Sequence, residues 1–119
     1  MNTTTTLTSM LNTQIQKEFE SAYIYLGFAA FFDMKGLAGF AEWYKQQAKE
    51  EEEHAMKIYD YLCKVNQPVE LMPIGAPKNK PETISQVLKQ SLEHEEYVTN
   101  LITTLYFQAE KEKNLFAKN

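Results

Sequence analysis

The sequence has few of the residues that interrupt helices, and it lacks arginine altogether. Its 119 residues include four glycines, four prolines and one cysteine. Without arginine the chain has no bidentate partner for phosphate oxygens, and its 16 acids outnumber 12 lysines, which argues against nucleic-acid binding. The lone Cys63 excludes an intrachain disulfide and fits a reducing compartment. No apolar run approaches the ~18 residues of a membrane span, so we expect a cytoplasmic protein that does not enter membranes.

The glycines and prolines divide the chain into three long segments. None lies between Phe40 and Gln67, and none follows Pro81. Because 44% of the residues are apolar, the chain can bury a core. The sequence therefore predicts one all-α domain over residues 1–119. Its predicted parts are a helix over 8–34, a helix over 38–65, a crossover loop over 66–82, a helix over 83–110 and the start of a further helix over 115–119.

The two connections differ in length, and this determines the directions of the helices. The short break at Gly36 makes the first two helices antiparallel neighbours. The crossover contains all four prolines, which a helix interior does not tolerate. When extended it spans about 50 Å. It is therefore long enough to cross the bundle and start the third helix parallel to the second.

Each predicted helix carries an acidic side chain on the apolar stripe that should face the core. Spacings of three and four residues define these stripes. Glu18, Glu51 and Glu95 are the acidic members, and His54 follows Glu51 by one turn. The stripes are Leu11, Ile15, Glu18, Ala22, Tyr25, Ala29 and Phe32 in the first helix; Phe40, Tyr44, Gln47, Glu51, His54, Ile58, Tyr61 and Val65 in the second; and Ile84, Leu88, Ser91, Glu95, Val98, Ile102, Leu105 and Ala109 in the third.

The predicted heights of these side chains along the bundle agree. Glu18 lies 17 residues before Lys35 and Glu51 lies 16 residues after it. At a rise of about 1.5 Å per residue, both are about 25 Å from the turn. Counted from the starts of the two parallel helices, Glu51 and Glu95 also share a level. We therefore expect three carboxylates and the His54 imidazole in one layer of the core.

Such a layer requires a cation. Ionised carboxylates in a dry core are unfavourable by several kcal/mol each unless they are neutralised, and no lysine lies on the stripes. Oxygen ligands with one imidazole suit iron or manganese, with zinc as an alternative. Glu51 and His54 have the spacing found in helical bundles that bind metal pairs. The simpler alternatives are a hydrogen-bonded core histidine and, for Glu18 and Glu95, side chains that point outward.

Other polar residues near this layer are less specific. Tyr25 is either a core residue with a satisfied hydroxyl or a phenol that hydrogen-bonds a ligand or donates an electron. Glu52 and Glu53 are expected on a solvated helix face. His94 points about 100° away from Glu95 around the helix and is expected at the surface.

Four segments carry a family resemblance. They are QIQKEFESAYIY at 14–25, GFAEW at 39–43, QAKEEEEHA at 47–55 and LEHEEYVT at 92–99. Over about residues 7–119 the chain resembles the non-haem bacterial ferritins. The resemblance implies an all-α, ferritin-like four-helix bundle with a long second-to-third crossover, of which this chain holds three long helices. The single Glu-x-x-His distinguishes it from bacterioferritin-like and rubrerythrin-like relatives, which carry two.

The resemblance implies iron storage and detoxification. Members of that family are ferroxidases that oxidise Fe(II) with dioxygen and store ferric mineral inside a homo-oligomeric, 24-subunit shell. By matched position, Glu18, Glu51 and His54 would hold the first iron of a di-iron centre. Glu51 would bridge to a second iron held by Glu95.

Two further roles and one departure follow from the same resemblance. Glu50 resembles a contributor to a third iron site, and Tyr25 resembles the tyrosine beside the centre. Family members continue into a fourth long helix with another iron carboxylate. The residue of that helix at the same height as Glu95 would fall beyond residue 119. We expect residues 115–119 to begin that helix, in an incomplete copy or in a chain whose partner supplies the rest. The alternative function is a truncated, non-catalytic subunit or scaffold that docks with such a partner.

Overall fold

Three long helices make up the fold. The computed structural model describes residues 5–78 and 80–118, with side chains as far as Lys113. Within these residues there is no β-strand, so the prediction of an all-α fold is confirmed. The helices are α1 (Thr6–Met34), α2 (Ala38–Lys64) and α3 (Ile84–Lys118).

The first helix begins and ends at residues suited to those positions. At its start, the Thr5 hydroxyl accepts a hydrogen bond of 3.0 Å from the backbone N–H of Thr8. Between α1 and α2, Gly36 has a φ of 73°, which glycine adopts without the steric cost of a side chain. The tight turn makes α1 and α2 antiparallel, and they pack against each other from this end to the other.

The crossover lies along α1 and is held there by polar side chains of that helix. The buried Asn12 amide donates to the Pro68 carbonyl (2.9 Å) and accepts from the backbone N–H of Glu70 (2.8 Å). One turn further along α1, Gln16 donates to the Pro73 carbonyl (2.7 Å). These contacts direct the crossover toward the C-terminal end of α1.

The third helix runs antiparallel to α1. Near its start, Val87 packs into the apolar cluster around Phe28 and Phe32. Near its other end, the Glu112 carboxylate accepts a hydrogen bond (2.7 Å) from the backbone N–H of Leu7. Within the described residues α1 packs against both other helices, whereas the backbones of α2 and α3 nowhere approach within 8 Å between Cα atoms. Helices α2 and α3 are therefore parallel and lie diagonally across the bundle.

The core consists of two apolar clusters along α1. The larger is aromatic: Phe32 is fully buried and stacks on Tyr44 with 5.7 Å between ring centroids and 10° between planes. The smaller contains Ile15, Ala55 and Leu62. Glu18 lies between the two clusters along α1, so its carboxylate is in the interior of the bundle.

The predicted core stripe is confirmed for α1 but is rotated in the other two helices. Every stripe residue of α1 is buried or half-buried. In α2, Phe40 is 55% exposed while the neighbouring Ala41 is buried, and in α3, Leu88 is 55% exposed while Val87 is buried. Only the sides of α2 and α3 that face α1 are covered. The remainder of each predicted stripe lies on a side that no helix of the described residues covers.

The third helix is also longer than predicted. The sequence predicted its end at residue 110 and a new helix over 115–119, but α3 continues through Lys118. The predicted break, Lys111-Glu112-Lys113-Asn114, contains no glycine or proline and consists mainly of good helix formers. The predicted turn was therefore wrong, and residue 119 lies outside the described residues.

Candidate metal centre

The first component of the site is the Glu18 carboxylate on α1. Glu18 is only 4% exposed. Its Oε1 accepts a hydrogen bond of 2.9 Å from Gln14 Nε2, one turn earlier on the same helix. Its Oε2 is buried and has no hydrogen-bond partner. A buried carboxylate oxygen without a donor is costly, so this atom requires a proton or a cation.

Helix α2 supplies the other two components from consecutive turns. The His54 Nδ1 atom lies 3.8 Å from Glu18 Oε2 and 3.7 Å from Glu51 Oε2, too far for a good hydrogen bond. Glu51 Oε2 is also buried and without a hydrogen-bond partner. One ligand atom from each of the three residues falls within 4.8 Å of the others. The structure therefore brings ligand atoms of Glu18, Glu51 and His54 together, but the His54 side chain is 51% exposed and does not lie inside the core as the sequence predicted.

The electrostatics of the cluster favour the uptake of positive charge. Burial raises the pKa of Glu51 to about 8, and the adjacent Glu18 carboxyl contributes further because the two groups can share a proton. The negative charges of Glu50 and Glu95 act in the same direction. Near neutral pH, the Glu51 carboxyl therefore retains a proton unless another cation takes its place.

These residues fit a metal ion. The two unpartnered carboxylate oxygens and the imidazole nitrogen come from two helices, and no lysine within the described residues forms an ion pair with either carboxylate. A cation placed between them would satisfy both oxygens at once. Carboxylate oxygens with one imidazole are suitable ligands for iron, manganese or zinc.

The remaining predicted ligands lie outside this compact group. Glu95 on α3 is exposed and is not among the residues that come within 4.8 Å of one another. Its charge nevertheless raises the pKa of both Glu51 and Tyr25, so it lies near them. Glu50 is exposed and lies beside Glu51 on α2. The structure thus shows a three-residue cluster with two further carboxylates at its edge.

Tyr25 lies beside the cluster in the aromatic core. It is 3% exposed and contacts the rings of Phe28 and Tyr44, with centroids 6.2 Å and 6.0 Å away. Burial raises the pKa of its phenol, and the negative charges of Glu95 and Glu51 raise it further. The phenol therefore remains protonated at neutral pH. It packs as a core residue and also lies near the acidic groups.

His94 is the residue near the site that the sequence analysis missed. It was predicted at the surface, but it is half-buried, and burial lowers its pKa. Its Nε2 lies 2.7 Å from Ser21 Oγ, and its ring meets the Tyr25 ring edge-on at 5.6 Å. The signal was that Val87, Ser91, His94 and Val98 also have helical spacing. Ser91 and Val98 belong to the predicted stripe, whereas Val87 and His94 each precede one of its members by one residue.

The fold and this cluster together define a class: a helical bundle with one long crossover and a set of carboxylate and imidazole groups suited to metal. No helix among the described residues has an apolar stretch long enough to cross a membrane. A family model described as Ferritin-like domain matches residues 8–115. The chain belongs to the ferritin family.

Individual relatives agree with this assignment. The chain is 38% identical over 108 residues to a bacterial non-heme ferritin of Staphylococcus haemolyticus. The matched region covers 91% of this chain and 65% of the relative. Among solved structures, it is similar to an engineered closed form of Archaeoglobus fulgidus ferritin, with a TM-score of 0.88, 34% identity and coverage of 98% of this chain and 71% of that one. An open-pore ferritin from the same archaeon has a TM-score of 0.86 and 36% identity, with coverage of 92% and 66%.

The match is close to complete for this chain but partial for its relatives. The chain spans 65% of the length of the Staphylococcus haemolyticus protein. Family membership and fold therefore apply to this chain directly. Its activity, substrate and assembly are proposals that depend on its own residues.

Proposed function

We propose that this protein binds Fe(II) as a substrate at the Glu18, Glu51 and His54 cluster and contributes to iron storage. One observation carries the proposal: two buried carboxylate oxygens lie near the same imidazole nitrogen and have no hydrogen-bond partner among the other described residues. A divalent cation would contact both oxygens and balance both negative charges, whereas a single shared proton balances only one of them. The names of the non-heme ferritin relatives support iron as the natural cation.

The proposed roles are those that the resemblance to the non-haem bacterial ferritins implies at the matched positions. Glu18, Glu51 and His54 hold the first iron, with Glu51 bridging to a second iron held by Glu95. Because Glu95 is exposed at the edge of the cluster, the second position is more open than the first. Glu50 is proposed to contribute to a third iron position nearby.

The proposed reaction is the oxidation of Fe(II) by dioxygen, a ferroxidase activity. Each Fe(II) loses one electron, and dioxygen accepts the electrons together with protons. The buried carboxylates stabilise the higher charge of the ferric product. Tyr25 is proposed to hydrogen-bond a ligand or supply an electron beside the centre. The family resemblance supports a cytoplasmic homo-oligomer, a 24-subunit shell, that stores the ferric mineral.

The test is Fe(II) oxidation in air by the full chain. We expect Glu51→Ala to abolish the rapid rise in ferric absorbance and the accompanying dioxygen uptake. Glu52→Ala is the matched control, because Glu52 is the next residue on α2 and is exposed. Equal rates for wild type and Glu51→Ala would reject the proposal.

A second candidate function is favoured by the uncovered side of the bundle. Phe40, Trp43, Leu88 and Ile102 are all at least half exposed there. Such an apolar face suits a non-catalytic subunit that docks with a chain supplying another helix. Size analysis with and without a full-length ferritin tests this candidate. A stable, isolated monomer that ignores such a partner would count against it.

A further inference from the structure

The contact between α1 and α3 beside the metal cluster is made by a histidine and a serine. His94 on α3 lies with Nε2 2.7 Å from the Oγ of Ser21, which is 1% exposed on α1. The His94 ring also meets the Tyr25 ring at 89° with 5.6 Å between centroids. His94 therefore contacts α1 through one polar and one aromatic interaction.

The direction of this hydrogen bond can be assigned from the neighbours of Ser21. The Ser21 hydroxyl is also 2.9 Å from the Lys17 carbonyl oxygen, which can only accept. A serine has a single hydroxyl proton. Both contacts are hydrogen bonds at the same time only if Ser21 donates to Lys17 and His94 Nε2–H donates to Ser21. The structure thus favours the neutral His94 tautomer that carries its proton on Nε2.

This hydrogen bond lies at the level where α3 approaches the site. Hydrogen bonds join α1 to α3 where His94 meets Ser21 and, near the far end, where Glu112 meets Leu7, and Tyr97 of α3 also interacts with Lys17 of α1. The first is adjacent to Glu95. A slip of one residue in α3 would move Glu95 by about 1.5 Å along the bundle and about 100° around the helix. The register of α3 on α1 therefore determines where Glu95 lies.

We infer that His94 is a positioning residue: by bonding to Ser21 and packing on Tyr25, it fixes the register of α3 so that Glu95 stays at the second metal position. Glu18, Glu51 and His54 belong to α1 and α2, and none of them takes part in this hydrogen bond, although the negative charge of Glu18 acts on His94. The inference rests on the proposed function for the presence of a second ion. The inference therefore predicts that changing His94 lowers the metal affinity of the second position and leaves that of the first position nearly unchanged.

The experiment is a titration of the full chain with Co(II), which needs no dioxygen and has a visible spectrum for each site. His94→Phe keeps a ring but removes the donor, and Ser21→Ala removes the acceptor. We expect both variants to lower the affinity for the second Co(II) ion by on the order of tenfold or more. The affinity for the first ion should change by less than about twofold. His94→Gln retains an N–H donor and should restore the second affinity. Ser91→Ala is the matched control, since Ser91 is a buried serine one turn earlier on α3.

A second readout requires no metal. In the metal-free chain, the ¹⁵N chemical shifts of the His94 ring are expected to show the proton on Nε2, and Ser21→Ala should remove this preference. A His94 proton on Nδ1 in wild type would overturn the assigned hydrogen bond and with it the inference.

The outcomes separate the inference from the proposed function. If wild type binds two Co(II) ions and His94→Phe leaves both affinities unchanged, or weakens both equally, the inference is overturned and the proposed function stands. A single Co(II) site in wild type also overturns the inference, because no second ion is present for His94 to position. A wild-type chain that binds neither Co(II) nor Fe(II) overturns the proposed function itself.

Discussion

The two sides of this bundle contribute unequally to the candidate site. Where α1 meets α2, the aromatic core is closed and Glu18 is 4% exposed. Where α3 approaches, Glu95 is exposed, and apolar residues such as Leu88 and Ile102 are more than half exposed. Both sides carry a carboxylate whose charge acts on Glu51. Only the closed side holds its carboxylate in a preorganised position.

This difference indicates how burial creates the site. A carboxylate in water needs no partner, so the exposed Glu95 is stable without metal. A carboxylate oxygen buried without a donor is unfavourable, so the Glu18 and Glu51 pair gains more from an ion. The first metal position is therefore expected to be strong and independent of α3, and the second to be weak and dependent on it.

The largest expected difference between the two sides is in folding stability. Phe32→Ala would leave a cavity in the closed aromatic core and should lower the free energy of unfolding by about 3–5 kcal/mol. Ile102→Ala, on the uncovered side of α3, should change it by less than about 0.5 kcal/mol. Urea denaturation followed by circular dichroism measures both. Similar losses for the two variants would show that Ile102 on α3 is as well covered as Phe32 in the aromatic core.

The next difference is in metal affinity. Glu18→Gln removes an anionic ligand from the closed side and should lower the affinity for the first Co(II) ion by more than ~100-fold. Such a loss is larger than indirect positioning effects produce. Glu95→Gln should affect only the second ion. Isothermal titration of the two variants against wild type provides the comparison. An unchanged first affinity in Glu18→Gln would place the strong site elsewhere.

The smallest expected difference is in the pH dependence of the metal-free chain. The pKa of Glu51 is raised from 4.5 to about 8, so the folded state holds a proton that the unfolded state releases. The associated stability is fully present below pH 4.5 and is lost as the pH rises through about 8. Glutamine imitates the protonated acid. Glu51→Gln should therefore match wild type near pH 4.5 and exceed it above pH 8. Thermal melts with chelator present test this, and parallel curves for the two chains would contradict it.

The sequence predicted the closed side of the bundle well. The α1 stripe from Ile15 to Phe32 is buried as expected, because α1 is covered by α2, the crossover and α3. The matched heights of Glu18 and Glu51 depend only on a tight turn and a regular helical rise. Both conditions hold in the structure, so the two carboxylates and His54 come together.

The uncovered side could not be predicted in the same way. A stripe in a sequence marks the face that would be buried in a complete bundle, and it does not show which neighbours are present. Phe40 and Leu88 were therefore expected in the core, although they are exposed here. His94 was missed for a related reason, because the α3 face toward α1 includes Val87 and His94, which each precede a member of the predicted stripe by one residue.

The extent of α3 was a separate error. The sequence predicted a break between residues 110 and 115, but helix propensity favours continuation when neither glycine nor proline intervenes. The predicted roles of Glu50, Glu95 and Tyr25 remain predictions, since they concern bound iron.

The most direct test is anomalous diffraction from crystals of the full chain soaked with Fe(II) without oxygen. We predict a peak at the iron edge within about 2.0–2.3 Å of one oxygen from Glu18, one oxygen from Glu51 and the His54 Nδ1. A weaker peak near Glu95 would mark the second position. No density between Glu18 and Glu51 at saturating Fe(II), with both oxygens still unpartnered, would contradict the account.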